Sequence, residues 1–178
     1  MPGDTAPIRE EERFDEAAVG AHLRGALPEL IGEHGLVFDQ FPGGAANLTY
    51  RVVAGDTELV LRRAPLGEVA RGGHDMAREY RVLSRHWRAF DPAPRAYNIC
   101  EDPAVMGKPF FVMERRRGYV IRNEWPPTWG DDPVIRRHLG VELTATLARL
   151  HLVDPAAVDL ADLGRPDGFV ARQVDGWS

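Results

Sequence analysis

The chain has 178 residues, 44% of them hydrophobic, enough for one globular domain with a buried core or for one and a half small ones. Its 22 basic residues against 27 acidic ones give a formal charge of −5, and with no basic block this argues against nucleic acid or an acidic membrane as main partner. No apolar run is long enough to span a bilayer, the acidic stretch Arg9-Glu10-Glu11-Glu12-Arg13 cannot open a signal peptide, and the single Cys100 fits a reducing cytoplasm. Of the basic residues only Lys108 is lysine, so any chemistry that needs a lysine has one candidate.

Residues 1–14 are polar, contain two prolines and are expected to form a mobile leader. Asp15 is a candidate N-cap for a helix carrying Val19, Leu23 and Leu27, which ends near Ala26 ahead of Pro28; a short turn follows through Leu30 and Ile31. The period then changes. Leu36-Val37-Phe38, residues 48–53 and Leu59-Val60-Leu61 are β-rich runs separated by Pro42-Gly43-Gly44 and Gly55-Asp56, which predicts three antiparallel strands. Leu48, Tyr50 and Val52 alternate with Thr49 and Arg51, one set for a core and the other for solvent.

Helical spacing returns with Met76, Tyr80, Leu83, Trp87 and Phe90, predicting a helix over about residues 75–89. Two further strands are expected at 95–100 and 110–114, joined by turns at Glu101-Asp102-Pro103 and Gly107-Lys108-Pro109. Residues 116–133 have little periodicity and read as a linker. After Pro133, Leu139, Leu143, Leu147 and Leu150 mark an amphipathic helix ending near Asp154-Pro155, and residues 168–177 begin another helical segment. The order predicts an α+β fold, a five-stranded antiparallel sheet with a helix inserted after the third strand, followed by a helical region.

Several chemistries fail on their residues. The six histidines have no paired ligand spacing and one cysteine cannot form a Cys-x-x-Cys pair, so a zinc site is not expected. Gly107-Lys108 runs into Pro109 rather than Ser or Thr, so there is no Walker A loop, and no Gly-x-Ser-x-Gly elbow exists. The stretch Pro42-Gly43-Gly44-Ala45-Ala46-Asn47-Leu48-Thr49-Tyr50 is different. Two glycines between strands let backbone amides approach a phosphate, although Pro-Gly-Gly is also an ordinary hairpin turn. Its sequel adds weight: a strand ending in Arg62-Arg63, then a helix carrying Glu79. A glycine loop, a strand cation and a helix carboxylate are the parts of a kinase-type nucleotide lobe.

The runs GGAANLTYRV, ELVLRRAPLG, HDMAREYRVLS and PAPRAYNICEDPAVMGKPFFVMERRRG resemble the N-terminal lobe of the aminoglycoside phosphotransferase family. The likeness is strongest to the branch related to the kinase domains attached to acyl-CoA dehydrogenases. LARLHLVDPAAVDLADLGRPDGFVARQV is similar to the start of the family's C-terminal lobe, so the resemblance spans about residues 15–178. It implies a protein-kinase-like fold with a nucleotide-binding lobe over 15–115, a hinge and linker over 116–133, and the start of a helical lobe over 134–178. It also implies ATP and Mg2+ as cofactors, a small-molecule hydroxyl as acceptor of the γ-phosphoryl group, and a cytoplasmic enzyme.

Carried over residue by residue, Gly43, Gly44 and Asn47 match the nucleotide-covering loop, with Ala46 where the family usually has serine. Arg62 matches the strand cation that grips phosphate, and a guanidinium suits that role because it is always charged and can bind bidentately. Lys108 lies in a turn and cannot substitute. Glu79 matches the carboxylate that orients the cation. Met113-Glu114-Arg115-Arg116 resembles the hinge, where backbone groups of Glu114 and Arg116 would meet the adenine edge and Val60 and Met113 would pack near the base. On their residues alone, Arg62 and Glu79 also read as an exposed salt bridge, Arg115-Arg116-Arg117 as a solvated edge, and Trp125 and Trp129 as packing residues.

Phosphoryl transfer needs an aspartate at the acceptor hydroxyl and magnesium ligands, which the family supplies from a His-Gly-Asp loop and a later Asp strand. None of the six histidines here is followed by Asp two positions on. The sequence therefore reads as the first half of a phosphotransferase, expected not to turn over ATP alone, with no catalytic or metal residue assigned. A non-catalytic nucleotide-binding module and an interaction domain are the alternatives. Missing partner helices predict an exposed apolar face on the 139–150 helix and self-association through it. The acceptor stays open among a hydroxyacyl coenzyme A, an aminoglycoside and another small alcohol.

Overall fold

The computed structural model describes residues 4–42, 47–67, 75–121, 125–165 and 167–177. Asp15 caps α1 (Glu16–Ala26) by accepting a 2.9 Å hydrogen bond from the Ala18 N–H, which satisfies one of the free donors of the first turn. Val19 and Leu23 of α1 are fully buried. A second helix, α2 (Pro28–Ile31), stands where a turn was expected, since Pro28 at its first position is already set to a helical φ and lacks only a donor the helix would not use.

Five strands form one antiparallel sheet in the order β1-β2-β3-β5-β4: β1 (Leu36–Gln40), β2 (Leu48–Ala54), β3 (Thr57–Arg63), β4 (Ala96–Cys100) and β5 (Phe110–Glu114). Gly55 turns β2 into β3 at φ +57, a left-handed backbone that glycine adopts without strain. β2 alternates in burial as expected. Phe38, Leu48, Tyr50, Val52, Leu59, Leu61, Phe110 and Val112 form the main core beneath α1 and α2. The opposite face carries α3 (Met76–His86), whose Met76, Tyr80 and Leu83 pack on Phe111, Ala96 and Met113.

Three further expectations are corrected. The helix expected over 75–89 stops at His86, where the Trp87 Nε1 donates at 3.0 Å to the Ser84 carbonyl, the acceptor that the Arg88 N–H would use to continue the helix. The expected turns between β4 and β5 contain a short helix, α4 (Pro103–Met106), with Asp102 as its cap, Pro103 at its first position and Gly107 closing it at φ +77. Residues 4–14 are not a free leader. Ala6 and Gln40 exchange two backbone hydrogen bonds of 2.8 Å, and Glu10–Glu12 form a 3-10 turn whose last carbonyl receives the Tyr50 hydroxyl at 3.0 Å and the Arg63 guanidinium. Buried donors of the sheet need acceptors, and this segment supplies them.

Two compact units divide the chain, one of Met1–Trp87 with Pro92–Gly118, the other of Arg88–Asp91 with Tyr119–Ser178. In the second, α5 (Pro133–His151) starts at the Asp132 cap and α6 (Phe169–Gly176) follows. Trp125 and Tyr119 pack edge-on against Trp129, so the tryptophans of the expected linker are packing residues. Large apolar side chains of α5 are exposed, Leu143 at 71% and Leu147 at 47% among them. Among the described residues no helix is long and apolar enough to cross a membrane.

Candidate functional site

Successive residues of a strand face opposite sides of the sheet, and in β3 this separates two neighbouring arginines. Arg63 faces the main core and is 1% exposed. Its guanidinium lies 5.6 Å from the Phe14 ring centroid and 5.3 Å from that of Tyr50, and it donates to the Glu12 carbonyl. Burial raises the Tyr50 pKa above its ordinary value, with the nearby Arg63 opposing. Arg63 is thus a structural cation.

Arg62 faces the other side, with Val60, toward α3. Register places Thr49 opposite Arg62 on β2 and Phe111 opposite it on β5, while Val60 lies between Arg51 and Met113. Two cross-strand rows result: Thr49, Arg62, Phe111, and Arg51, Val60, Met113. Glu79 extends from the first turn of α3, and its Oε2 lies 2.9 Å from Arg62 Nε, with Oε1 3.5 Å from Nη2. The close Nε–H is not aimed at the oxygen, so the pair is an ionic contact more than an aligned hydrogen bond. Both side chains are 34% exposed, which makes the pair worth about 1 kcal/mol at most to stability. Among the described residues, the ion pairs and hydrogen bonds of the Arg62 guanidinium all run to Glu79.

Asn47, the residue before β2, is 5% exposed and its amide donates to Glu79 Oε1 at 3.0 Å. The hairpin behind it is held by a 3.0 Å hydrogen bond from the Phe41 N–H to the Thr49 carbonyl. Three of the expected site residues, Asn47, Arg62 and Glu79, therefore meet in one cluster. Gly43 and Gly44 lie outside the described residues.

At the end of β5, Val60 and Met113 are direct cross-strand neighbours, and Met113 packs in the cluster under α3. The Glu114 N–H is already donated to the Arg95 carbonyl at 2.8 Å, and its carboxylate lies 3.1 Å from Arg116. Arg116 also donates to the Ala93 carbonyl at 3.1 Å, so its side chain braces the segment before β4. The arginine run is not uniformly solvated. The Arg115 side chain is 8% exposed, sits 5.6 Å from the Phe41 ring centroid and pairs with both Glu58 and Asp4.

One feature of this face was not anticipated from sequence. Glu58 takes Arg51, Arg115 and Arg117, while Asp39 takes Arg51 as well, giving a chain of ion pairs beside Val60. The hydrogen bond to Asp39 raises the Arg51 pKa further above its ordinary value, so the cation is permanent. Asp39 and Arg51 are directly opposite on β1 and β2, and that opposed charge pair was the available signal. Among the described residues no group of three His, Cys, Asp or Glu could hold a metal ion.

The sequence matches the phosphotransferase enzyme family, APH, over residues 37–178. It is 30% identical over 178 residues to mouse (Mus musculus) acyl-CoA dehydrogenase family member 10, covering 98% of this chain and 16% of that protein. Chicken (Gallus gallus) acyl-CoA dehydrogenase family member 11 is 32% identical, with 99% of this chain and 22% of that protein covered. A solved structure of a proposed aminoglycoside phosphotransferase from Ralstonia eutropha JMP134 superposes with a TM-score of 0.72 at 30% identity, covering 93% of this chain and 46% of that one. The chain thus spans 16–22% of these curated relatives and less than half of the solved structure.

Proposed function

This chain belongs to the phosphotransferase enzyme family and has its kinase-like fold, and on that premise we propose that it binds ATP·Mg on the Arg62 face of the sheet. The bound nucleotide would supply the γ-phosphoryl group for transfer to a small-molecule hydroxyl. The observation that carries this reading is the Asn47–Glu79–Arg62 cluster, in which a strand arginine is held by a helix carboxylate. A surface arginine without a partner samples many orientations, whereas one paired with a helix carboxylate beside Nε and Nη2 is restricted in direction and keeps its outer Nη hydrogens for another acceptor. That suits bidentate binding of phosphate oxygens. Val60 and Met113, adjacent in the next row of the same face, offer apolar surface for the base. A contact from Glu114 to the adenine edge would have to be made by its carbonyl, since its N–H is in use.

Magnesium enters as part of the nucleotide substrate, and no residue among those described is assigned to it. The aspartate that would position the acceptor hydroxyl is likewise not assigned: the 178 residues hold no His-x-Asp run. The chain by itself is accordingly proposed to bind nucleotide without turning it over. The dehydrogenase names belong to relatives of which this chain matches under a quarter, and supply no reaction for it.

Photolabelling with 8-azido-ATP tests the reading. Label is expected in peptides spanning β3 (Thr57–Arg63) or β5 (Phe110–Glu114) and should be displaced by excess ATP. Label confined to other parts of the folded chain, or undisplaced by ATP, overturns it.

A further inference from the structure

Asn47 immediately follows the expected glycine loop, and a residue there is usually thought of as touching the ligand. Its side chain does something else. It is 5% exposed, and its amide nitrogen donates to Glu79 Oε1 at 3.0 Å, reaching from the start of β2 to the first turn of α3. The same carboxylate meets Arg62 through its other oxygen, 2.9 Å from Nε. A carboxylate on a helix can rotate about its last torsion almost freely, because that sp³–sp² torsion is broad. A donor fixed to one oxygen removes that freedom and sets the plane of the other. Asn47 is itself held by the strand pairing beside it, where Leu48 lies opposite Arg63 and Thr49 opposite Arg62.

We infer that Asn47 is a positioning residue: it fixes the Glu79 carboxylate so that Arg62 is presented to phosphate in one orientation. The inference rests on the nucleotide reading above and assigns Asn47 a part in it through Glu79 rather than by contact with ATP. It also gives a physical link between the strand leaving the glycine loop and the helix carboxylate. A shift of the start of β2 would be felt at the guanidinium through two side chains. A merely structural Asn47, satisfying its own buried amide, would lower stability when replaced and leave Arg62 as it was.

The test uses the full chain and two readouts. In the first, without nucleotide, the Arg62 Nε–H resonance is identified by its loss in Arg62→Lys. In Asn47→Leu, a nearly isosteric change, that resonance is expected to shift as the Glu79 carboxylate beside it turns. An unchanged resonance overturns the inference whatever ATP does. In the second, calorimetry measures ATP·Mg and adenosine binding to wild type, Asn47→Leu, Glu79→Ala and the double variant. Asn47→Leu is expected to weaken ATP·Mg by about tenfold and adenosine little, the size of one lost charge-assisted contact. The double variant should be no weaker than the weaker single one, since both act through one carboxylate. Additive losses mean that Asn47 touches the nucleotide directly, and overturn the inference alone. Absence of ATP·Mg binding to folded wild type overturns the nucleotide reading, while the resonance still tells whether Asn47 positions Arg62. Should Asn47→Leu not fold, Asn47→Ser carries the same measurements with a shorter donor.

Discussion

Neighbouring arginines with opposite fates give the sharpest stability prediction. Replacing Arg63 by Met removes a 1% exposed guanidinium while keeping much of its apolar stem. The lost hydrogen bond to the Glu12 carbonyl, charged on the donor side, is worth about 1.5–3 kcal/mol. The contacts with Phe14 and Tyr50 are desolvated and worth about 1–2 kcal/mol each. Against these stands the removal of a buried charge whose Nε has no hydrogen-bond partner, a relief of about 1–3 kcal/mol. The Glu12 carbonyl also keeps the Tyr50 hydroxyl, so it is not orphaned. The balance favours a loss of about 3 kcal/mol, or about 6–12 °C in the melting midpoint for a chain of this size. Arg62→Met, by contrast, breaks a pair one-third exposed on each side and should cost about 1 kcal/mol or less. Thermal melts followed by circular dichroism compare the two. Hydrogen exchange should also speed up in residues 10–14 of Arg63→Met, whose anchor is gone, and stay unchanged in Arg62→Met. If Arg63→Met melts with wild type or above it, desolvation of the cation outweighs its contacts and the reasoning fails.

Arg62→Lys, although it keeps the charge, should weaken ATP·Mg by about tenfold because an ammonium cannot hold Glu79 and phosphate with a rigid fork; equal affinity in a direct titration would count against bidentate binding. Gly55→Ala should lower stability by about 1–2 kcal/mol in urea unfolding, since the site has φ +57 and an added Cβ would lie 3.0 Å from the His34 ring. Tyr50 should ionise above the ordinary phenol range, its pKa being raised by burial. The stability tied to its neutral form is whole below the ordinary phenol value of about 10 and is lost as pH rises through the Tyr50 pKa. The difference in phenolate absorbance between wild type and Tyr50→Phe against pH checks this, and a Tyr50 component that titrates at the ordinary phenol value would contradict the buried environment.

The sheet was legible because its strands are punctuated by Gly55-Asp56 and by proline and glycine, and because β2 alternates without a break. The long α5 was legible from leucines at helical spacing behind Asp132-Pro133. The four-residue helices α2 and α4 were not: they are too short for a period to show, although Asp102, Pro103 and Gly107 are a complete set of start and stop signals. Anchoring of residues 4–14 was hidden for another reason. Its partners, Gln40, Tyr50 and Arg63, are far away in sequence, and a polar segment gives no local sign of long-range hydrogen bonds. At the candidate site, residue types in order suggested Arg62 and Glu79. What sequence could not show was the third member's direction, since Asn47 turns toward Glu79 rather than outward. Nor could it show that Arg115 is buried while Arg117, two positions on, is solvated.

The central claim is that Arg62 holds the phosphates of an adenine nucleotide. Calorimetric titration of ATP·Mg into the wild-type chain and into Arg62→Met, both shown to be folded by circular dichroism, tests it most directly. Saturable one-to-one binding to wild type, at least tenfold weaker in Arg62→Met, is the predicted result. A folded wild type that does not bind, or an Arg62→Met chain that binds equally well, would contradict it.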